Sequence, residues 1–202
     1  MSHCLRLFAF LTFCLLLVLV TSCNQSDVPT TADGVREGGD STTQTLEVAY
    51  VDLELPDRTY LVFRQELSFQ DVNGFIAIET DSLVRKSERA GVPPAGPATL
   101  LTYGWDTERG RGDVAVALPV EVGTTLSPYA TVIMPAGPAL SVEFAGSYDR
   151  LSAYHYALGQ ELANRGLRPL IPSIEEYVVG PTDTRDAGQF RTRIIYPYAN
   201  PE

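Results

Sequence analysis

The order of predicted secondary-structure elements occurs twice in residues 46–202, and this repeat restricts the fold more than any other feature of the sequence. Each copy reads strand–strand–helix–strand–strand. Gly91 and Pro97, which follow the first predicted helix, correspond to Gly166 and Pro172, about 75 residues later in the chain. The repeat therefore predicts two fused copies of one unit.

Strands are predicted where polar and apolar residues alternate, and helices where apolar residues recur every three or four positions. The strands are predicted at residues 46–55, 59–64, 98–103 and 114–120 of the first half (about 46–122), and at 130–134, 140–144, 174–179 and 189–196 of the second (about 123–202). Ser68 is predicted to cap the first helix and Gly91 to end it. Ser147 and Gly166 have the same roles in the second helix. These elements predict an α+β fold, a curved antiparallel sheet with both helices on one face and a ligand groove on the opposite face.

The charge balance argues against one class of partner. The chain has 25 acidic residues against 15 Lys and Arg, which gives a formal net charge of −10. Binding to nucleic acid requires clustered Lys and Arg side chains that neutralise phosphates. The sequence has no such basic stripe, and nucleic-acid binding is not predicted.

Cysteine and histidine are confined to a few positions. The three cysteines, Cys4, Cys14 and Cys23, all precede the predicted domain at residues 46–202, in which His155 is the one histidine. The domain is therefore predicted to have no internal disulfide and no zinc site of the usual His/Cys kind. Neither a metal nor a cofactor is expected.

The amino terminus has the pattern of an export signal. The apolar run Leu7–Val20 is shorter than the roughly 20 residues that span a bilayer, and it matches the central region of a secretory signal. The segment Val20-Thr21-Ser22-Cys23 follows directly and resembles the lipobox of bacterial lipoproteins. We therefore expect residues 1–22 to be a signal peptide and Cys23 to become the acylated first residue.

Residues 23–45 are expected to connect the lipid to the domain. They are rich in Ser, Thr, Asp and Gly and contain few apolar residues, so they cannot offset the entropy of ordering a chain. A lipid on Cys23 and a flexible linker would hold the domain beside a membrane. The expected location is the bacterial cell envelope, on the extracytoplasmic side, and the sequence does not identify a protein partner.

Four short motifs occur in order along the domain. They are Ile133-Met134-Pro135-Ala136-Gly137, Gly146-Ser147-Tyr148, Glu175-Glu176-Tyr177 and Thr192-Arg193-Ile194-Ile195-Tyr196-Pro197. Together they resemble the gyrase-inhibitor-like effector-binding domain, a ligand module that is also found behind AraC-type and multidrug-sensing regulators. The resemblance covers about residues 46–198 and is strongest in the second half.

This resemblance implies a cleft between the two repeats that binds lipophilic, often cationic, small molecules. The family acid that faces the cleft corresponds to Glu175, with Tyr177 beside it. Strand alternation independently places these two side chains on one face and Glu176 on the other. The chain departs from the family at Arg193, where many members carry Glu, which puts a second acidic contact in doubt.

A carboxylate among aromatic rings suits a lipophilic cation, because the acid neutralises charge and the rings supply apolar area and cation–π contact. The candidate ligand-binding residues are Glu175, Tyr177, Trp105, Tyr103 and Tyr148. His155 is expected on the surface of the second helix or half-buried there. A triad or metal role for it would need partners that the sequence does not identify.

Three functions remain open from the sequence. The first is a binding module for a lipophilic, possibly cationic, molecule beside the membrane. The second is a hydrolase of reactive electrophiles, as in some members of the family, with Glu175 activating water or forming an adduct and Tyr177 donating a proton. The third is an envelope protein whose cleft binds a partner strand or peptide. The extracytoplasmic location argues against a DNA-bound regulator and against a gyrase inhibitor.

Overall fold

Residues 48–200 are described by the computed structural model, and they form nine strands and two α-helices. The strands are β1 (Tyr50–Leu55), β2 (Arg58–Ser68), β3 (Thr99–Asp106), β4 (Arg111–Val120), β5 (Ala130–Met134), β6 (Gly137–Ala145), β7 (Arg168–Pro169), β8 (Ser173–Val179) and β9 (Arg191–Ala199). The helices are α1 (Phe69–Arg89) and α2 (Leu151–Asn164). Neither described helix combines the length and the apolar composition that crossing a bilayer requires. The predicted signal peptide, Cys23 and the linker lie outside the described residues.

The sheet is antiparallel and follows the order β1-β6-β9-β8-β3-β4-β2-β5, with the short β7 paired to β9. This order is symmetric about its centre. When β1, β2, β3 and β4 are exchanged with β5, β6, β8 and β9, the same order results, read from the other edge of the sheet. Strands β3 and β8 are the pair that joins the two halves. The predicted curved antiparallel sheet, built from two halves with the same element order, is confirmed.

Strands β2, β3 and β4 are longer than the alternation of polar and apolar residues predicts. Arg64 on β2 forms two hydrogen bonds with Asp113 on β4, at 2.8 and 2.5 Å, and Arg111 bonds Glu66 at 2.5 Å. These oppositely charged side chains are diagonal neighbours on the two strands and stabilise an exposed part of the ladder. The three strands therefore extend beyond the predicted ranges 59–64, 98–103 and 114–120.

Both helices end as predicted, at glycines with φ near 68°. After α1, the N–H of Val92 donates to the carbonyl of Ser87 at 2.9 Å, and after α2 the N–H of Leu167 donates to Leu162 at 2.9 Å. This pattern requires the left-handed conformation that Gly91 supplies for α1 and Gly166 for α2.

The predicted serine caps do not form. The hydroxyl of Ser68 donates to the carboxylate of Asp71 at 2.6 Å rather than accepting from the backbone. Ser147 likewise bonds the side chain of Asp149, and a 3-10 turn at Tyr148–Arg150 precedes α2. In each case a nearby carboxylate accepts the hydrogen bond of the serine hydroxyl.

Both helices lie on one face of the sheet, as predicted. Residues that are paired across antiparallel strands share a face, and one such row joins Val142, Ile194, Glu175, Leu100 and Val116. Helix α2 packs over β6 and β9 at one end of this row, and α1 packs over β4 and β2 at the other. Strands β8 and β3 lie between the helices. We call the part of this face between α1 and α2 the trough, and these two strands are its floor.

The opposite face carries a closed core. Its buried members are Tyr60, Val62, Leu101, Ala115, Ala117, Ala139, Ile174 and Ile195. Because both helices lie on the other face, these side chains are buried by the curl of the sheet itself, which three small alanines permit. A recess at Leu55, Arg58 and Tyr60 measures about 10 Å³, room for one water molecule. The position predicted for the groove, opposite the helices, is therefore wrong, because buried side chains fill that face.

Candidate binding site at Glu175

Glu175 lies in the floor of the trough, in the strand β8. Leu100 is its paired residue on β3 and Ile194 on β9. Its relative exposure is 6%, so the carboxylate is removed from bulk water. A buried carboxylate is tolerated only when hydrogen bonds or charges compensate it.

Two side chains satisfy the Glu175 carboxylate. The Nε2 atom of His155 lies 3.0 Å from Oε1, and the hydroxyl of Tyr177 donates to Oε2 at 3.1 Å. The other imidazole nitrogen, Nδ1, is 3.0 Å from the hydroxyl of Tyr196, which itself interacts with Ser173. Side chains from α2, β8 and β9 thus form one hydrogen-bonded cluster around a single acid.

The contact between His155 and Glu175 was missed by the sequence analysis, although the prediction that His155 is half-buried holds, with 23% of the side chain exposed. One signal could have found it. His155 precedes the buried residues Leu158 and Leu162 by three and seven positions, a spacing that places it along the apolar stripe of α2. A histidine on that stripe points toward the sheet.

The three tyrosines near Glu175 are held in their neutral form. Burial raises the pKa of Tyr177 well above its usual 10, and the charge of Glu175 raises it further. Burial and the charge of Glu175 raise the pKa of Tyr196, although a hydrogen bond from Ser173 lowers it in part. Burial, Glu175 and Asp183 raise that of Tyr148. The cluster therefore presents neutral phenols around an acid.

Aromatic rings line the trough next to Glu175. The ring of Tyr148 lies 5.5 Å from that of Tyr177 and stacks on Phe190 at 5.0 Å, measured between centroids. Gly180 lies beside this wall, where a Cβ would be in van der Waals contact with the Tyr148 hydroxyl oxygen at 3.4 Å. The predicted residues Glu175, Tyr177 and Tyr148 are thus brought together.

The other two predicted ligand-binding residues lie elsewhere. Tyr103 packs against the core of the opposite face, where the guanidinium of Arg64 is 3.6 Å from its ring centroid. A bulge after Thr102 turns Trp105 to the helix-bearing face, where it contacts Phe69 edge-on at 5.5 Å and remains 50% exposed. Alternation alone does not reveal this bulge, and neither aromatic contacts Glu175.

Glu176 faces away from the trough, as alternation predicts. It is 3% exposed and bonds Arg58 at 2.5 Å and Arg193 at 3.1 Å. Arg193 also bonds Glu143 at 3.0 Å. The departure from the family motif at Arg193 therefore adds a cation to the opposite face, not to the Glu175 cluster.

The Glu175 carboxylate is closed to bulk water in this structure, since the residue is 6% exposed and each oxygen has a side-chain hydrogen-bond partner. A shallow depression of about 480 Å³ beside α2 is lined by Val48, Tyr50, Tyr156 and Glu161, among others, and does not include Glu175. Within residues 48–200, no three His, Cys, Asp or Glu side chains are grouped so that they could hold a metal ion. Because Glu175 is buried, a ligand reaches its carboxylate only if a neighbouring side chain moves.

No protein-family model and no curated protein matches the chain. Solved structures do. The C-terminal domain of EcmrR has a TM-score of 0.66 at 18% identity, over 77% of this chain and 100% of that domain. The chain spans 58% of the EcmrR chain in its complex with DNA, at a TM-score of 0.65 and 19% identity.

Two further structures are similar. SAV2435 bound to tetraphenylphosphonium has a TM-score of 0.55 at 12% identity, over 75% of this chain and 94% of that one. A hydrolase from Listeria innocua has a TM-score of 0.51 at 11% identity, over 74% and 91%. At these identities the similarity concerns the fold alone. The described residues have the fold of the EcmrR C-terminal domain.

Proposed function

We propose that residues 46–202 bind a small, lipophilic molecule that carries a positive charge, in the trough between α1 and α2. The observation that carries this proposal is the buried carboxylate of Glu175 beside the rings of Tyr148, Tyr177 and Tyr196. The neutral phenols leave the charge of the acid available to a ligand.

Burial makes this acid an effective anchor for a cation. Two unit charges 4 Å apart attract by about 1 kcal/mol in water and by about 4 kcal/mol at the effective dielectric constant near a protein surface. Aromatic faces add about 0.5–2 kcal/mol for a cation that lies over them. A charged apolar molecule gains from both contributions, whereas a neutral one gains only from the rings.

The structural comparison supports a ligand of this kind. Tetraphenylphosphonium, which SAV2435 binds, is a cation enclosed by four phenyl groups. A cation with apolar rings is the kind of ligand that a carboxylate among aromatic side chains can bind. We extend this ligand class to the present chain on the strength of the Glu175 cluster, since the fold similarity alone does not identify a ligand.

Calorimetric titration with tetraphenylphosphonium tests the proposal. Glu175→Gln keeps the shape and removes the charge, and we expect it to weaken binding at least about tenfold. Glu176→Gln is the matched control, one residue along β8 on the opposite face, and should change the affinity less than about twofold at a temperature where circular dichroism shows it folded. Equal effects of the two substitutions would contradict the proposal.

Hydrolysis is the second candidate, favoured by the hydrogen bonds that join His155, Glu175 and Tyr177 and by the fold shared with the Listeria hydrolase. In that reaction Tyr177 would donate a proton, but its strongly raised pKa makes it a poor acid. Binding is therefore the better-supported function. Turnover of styrene oxide that Glu175→Gln abolishes would reverse this preference.

We further propose that a lipid on Cys23 holds the domain at the bacterial envelope. The lipobox pattern Val20-Thr21-Ser22-Cys23 supports this proposal. Cys23→Ser should release the protein from the membrane fraction, and unchanged sedimentation with membranes would contradict it.

A further inference from the structure

The imidazole of His155 is hydrogen-bonded to Oε1 of Glu175, the acid that the proposed function assigns to a ligand cation. Of the two groups bonded to the carboxylate, Tyr177 is a neutral phenol and His155 is the one that becomes a cation on protonation. In the ligand-free protein the acid therefore already has an internal partner of the same charge type as the proposed ligand.

We propose that His155 is an internal competitor of the ligand, so that a cation binds Glu175 only when the imidazole has released it. Protonation of His155 strengthens its hold on the carboxylate and closes the site. Loss of that proton weakens the hold and admits the ligand. This inference rests on the function proposed above and assigns to His155 the control of affinity and charge specificity.

The geometry allows His155 to move while Tyr177 stays. The His155 side chain is 23% exposed at the edge of the trough. It is fixed by two hydrogen bonds, from Nε2 to Glu175 and between Nδ1 and the Tyr196 hydroxyl. Tyr177, in contrast, is held by packing against the ring of Tyr148. Rotation of the His155 side chain would break these two hydrogen bonds and leave Oε1 without this partner.

The groups that face His155 are carboxylates and phenols. They are Glu175 and Tyr177 from β8 and Tyr196 from β9, with Tyr148 of the 3-10 turn and Asp183 of the β8–β9 loop beyond them. The raised pKa values of the three tyrosines keep them neutral between pH 5 and 8.

A simple relation follows if only the neutral imidazole admits the ligand. The apparent dissociation constant then rises in inverse proportion to the fraction of protein with neutral His155. One pH unit below the midpoint of the imidazole titration this fraction is about one tenth, so binding weakens about tenfold. Nuclear magnetic resonance of the His155 ring protons, assigned with the His155→Gln variant, gives the midpoint independently.

The test is calorimetric titration of the full chain with tetraphenylphosphonium at pH 8 and at one unit below the measured midpoint. We expect the wild type to bind about tenfold more weakly at the lower pH. His155→Gln keeps a hydrogen-bonding side chain that cannot titrate, and its affinity should change less than about twofold between the two values. Tetraphenylborate, of the same shape and opposite charge, should not bind better at pH 8 than at the lower pH.

The outcomes separate this inference from the function on which it rests. If tetraphenylphosphonium binds with dependence on Glu175, and His155→Gln retains the tenfold change with pH, the competitor role is wrong and the binding function stands. If Glu175→Gln binds as tightly as the wild type, the proposed function is wrong. Tyr196→Phe, which loosens Nδ1, provides a second variant, and its pH effect should be smaller than that of the wild type.

Discussion

The Glu175 carboxylate lies between Leu100 and Ile194 on the neighbouring strands, where apolar side chains replace much of its water. Leaving one of its oxygens without a hydrogen bond costs about 1–3 kcal/mol. The Tyr177 hydroxyl, which donates to Oε2, therefore stabilises the fold as well as the proposed site. Its raised pKa keeps the donor protonated through the neutral range.

Tyr177→Phe removes this donor and leaves Oε2 unpaired. We expect the free energy of unfolding, measured in urea at pH 7, to fall by about 1–3 kcal/mol. Tyr148→Phe is the control, since the Tyr148 ring packs on Tyr177 while its hydroxyl is not bonded to Glu175. Equal losses in the two variants would show that the hydroxyl of Tyr177 contributes nothing specific.

The raised pKa of Tyr177 also predicts that the free energy of unfolding falls at alkaline pH. The pKa of Tyr177 is higher in the folded protein than in the unfolded chain, where a tyrosine titrates near pH 10. Its contribution is therefore complete below about pH 10 and is lost as the pH rises toward the folded value. Urea unfolding above pH 10 should show a decline in the wild type that is smaller in Tyr177→Phe.

At the scale of elements, the end of α2 depends on one glycine. Gly166 has φ of 69° in the left-handed region, and the following N–H of Leu167 bonds the carbonyl of Leu162. A side chain at this position costs about 1–2 kcal/mol. Gly159 lies inside the same helix, where an added Cβ would meet nothing within 4 Å.

These two glycines give a matched pair of substitutions. Gly166→Ala should lower the free energy of unfolding by about 1 kcal/mol. Gly159→Ala should raise it by about 0.5–1 kcal/mol, because alanine loses less backbone entropy in a helix. Urea unfolding of both variants checks the prediction, and a loss of stability in Gly159→Ala would contradict the geometry assigned to α2.

The sequence predicted which residues of a strand share a face, but it could not predict which face the helices cover. Alternation separates Glu175 from Glu176 correctly because the period of a strand is two. Both faces of the sheet are apolar, with Ile194 on one and Ile195 on the other. Alternation therefore gives no reason to place the groove on either face.

Sequence spacing could have placed His155 toward the sheet, but it could not have identified Glu175 as its partner. The stripe that His155 shares with Leu158 was predictable from spacing. Its reach to β8 depends on how α2 lies over β9, which is set by tertiary packing. In the same way, the bulge after Thr102 decides where Trp105 lies.

At the scale of the whole molecule, the pairing of β3 with β8 joins the two halves. It determines how many acidic side chains lie in the trough at this position. Leu100 of the first half is paired directly with Glu175 of the second, so the trough contains one acid at this joint rather than two. Arg58 of the first half and Glu176 of the second form an ion pair that links the halves on the opposite face. The duplicated fold thus supports a single, asymmetric site, which suits one monovalent cation.

A crystal structure of the protein with tetraphenylphosphonium tests the central claim most directly. We predict one ligand per chain in the trough, with its phenyl groups within about 6 Å of the Tyr148 or Tyr177 ring centroid and with His155 rotated away from Oε1 of Glu175. A ligand bound instead in the depression beside Tyr156, or on the exposed ring of Trp105, with the His155–Glu175 bond intact, would contradict the claim that this acid is the ligand's anchor.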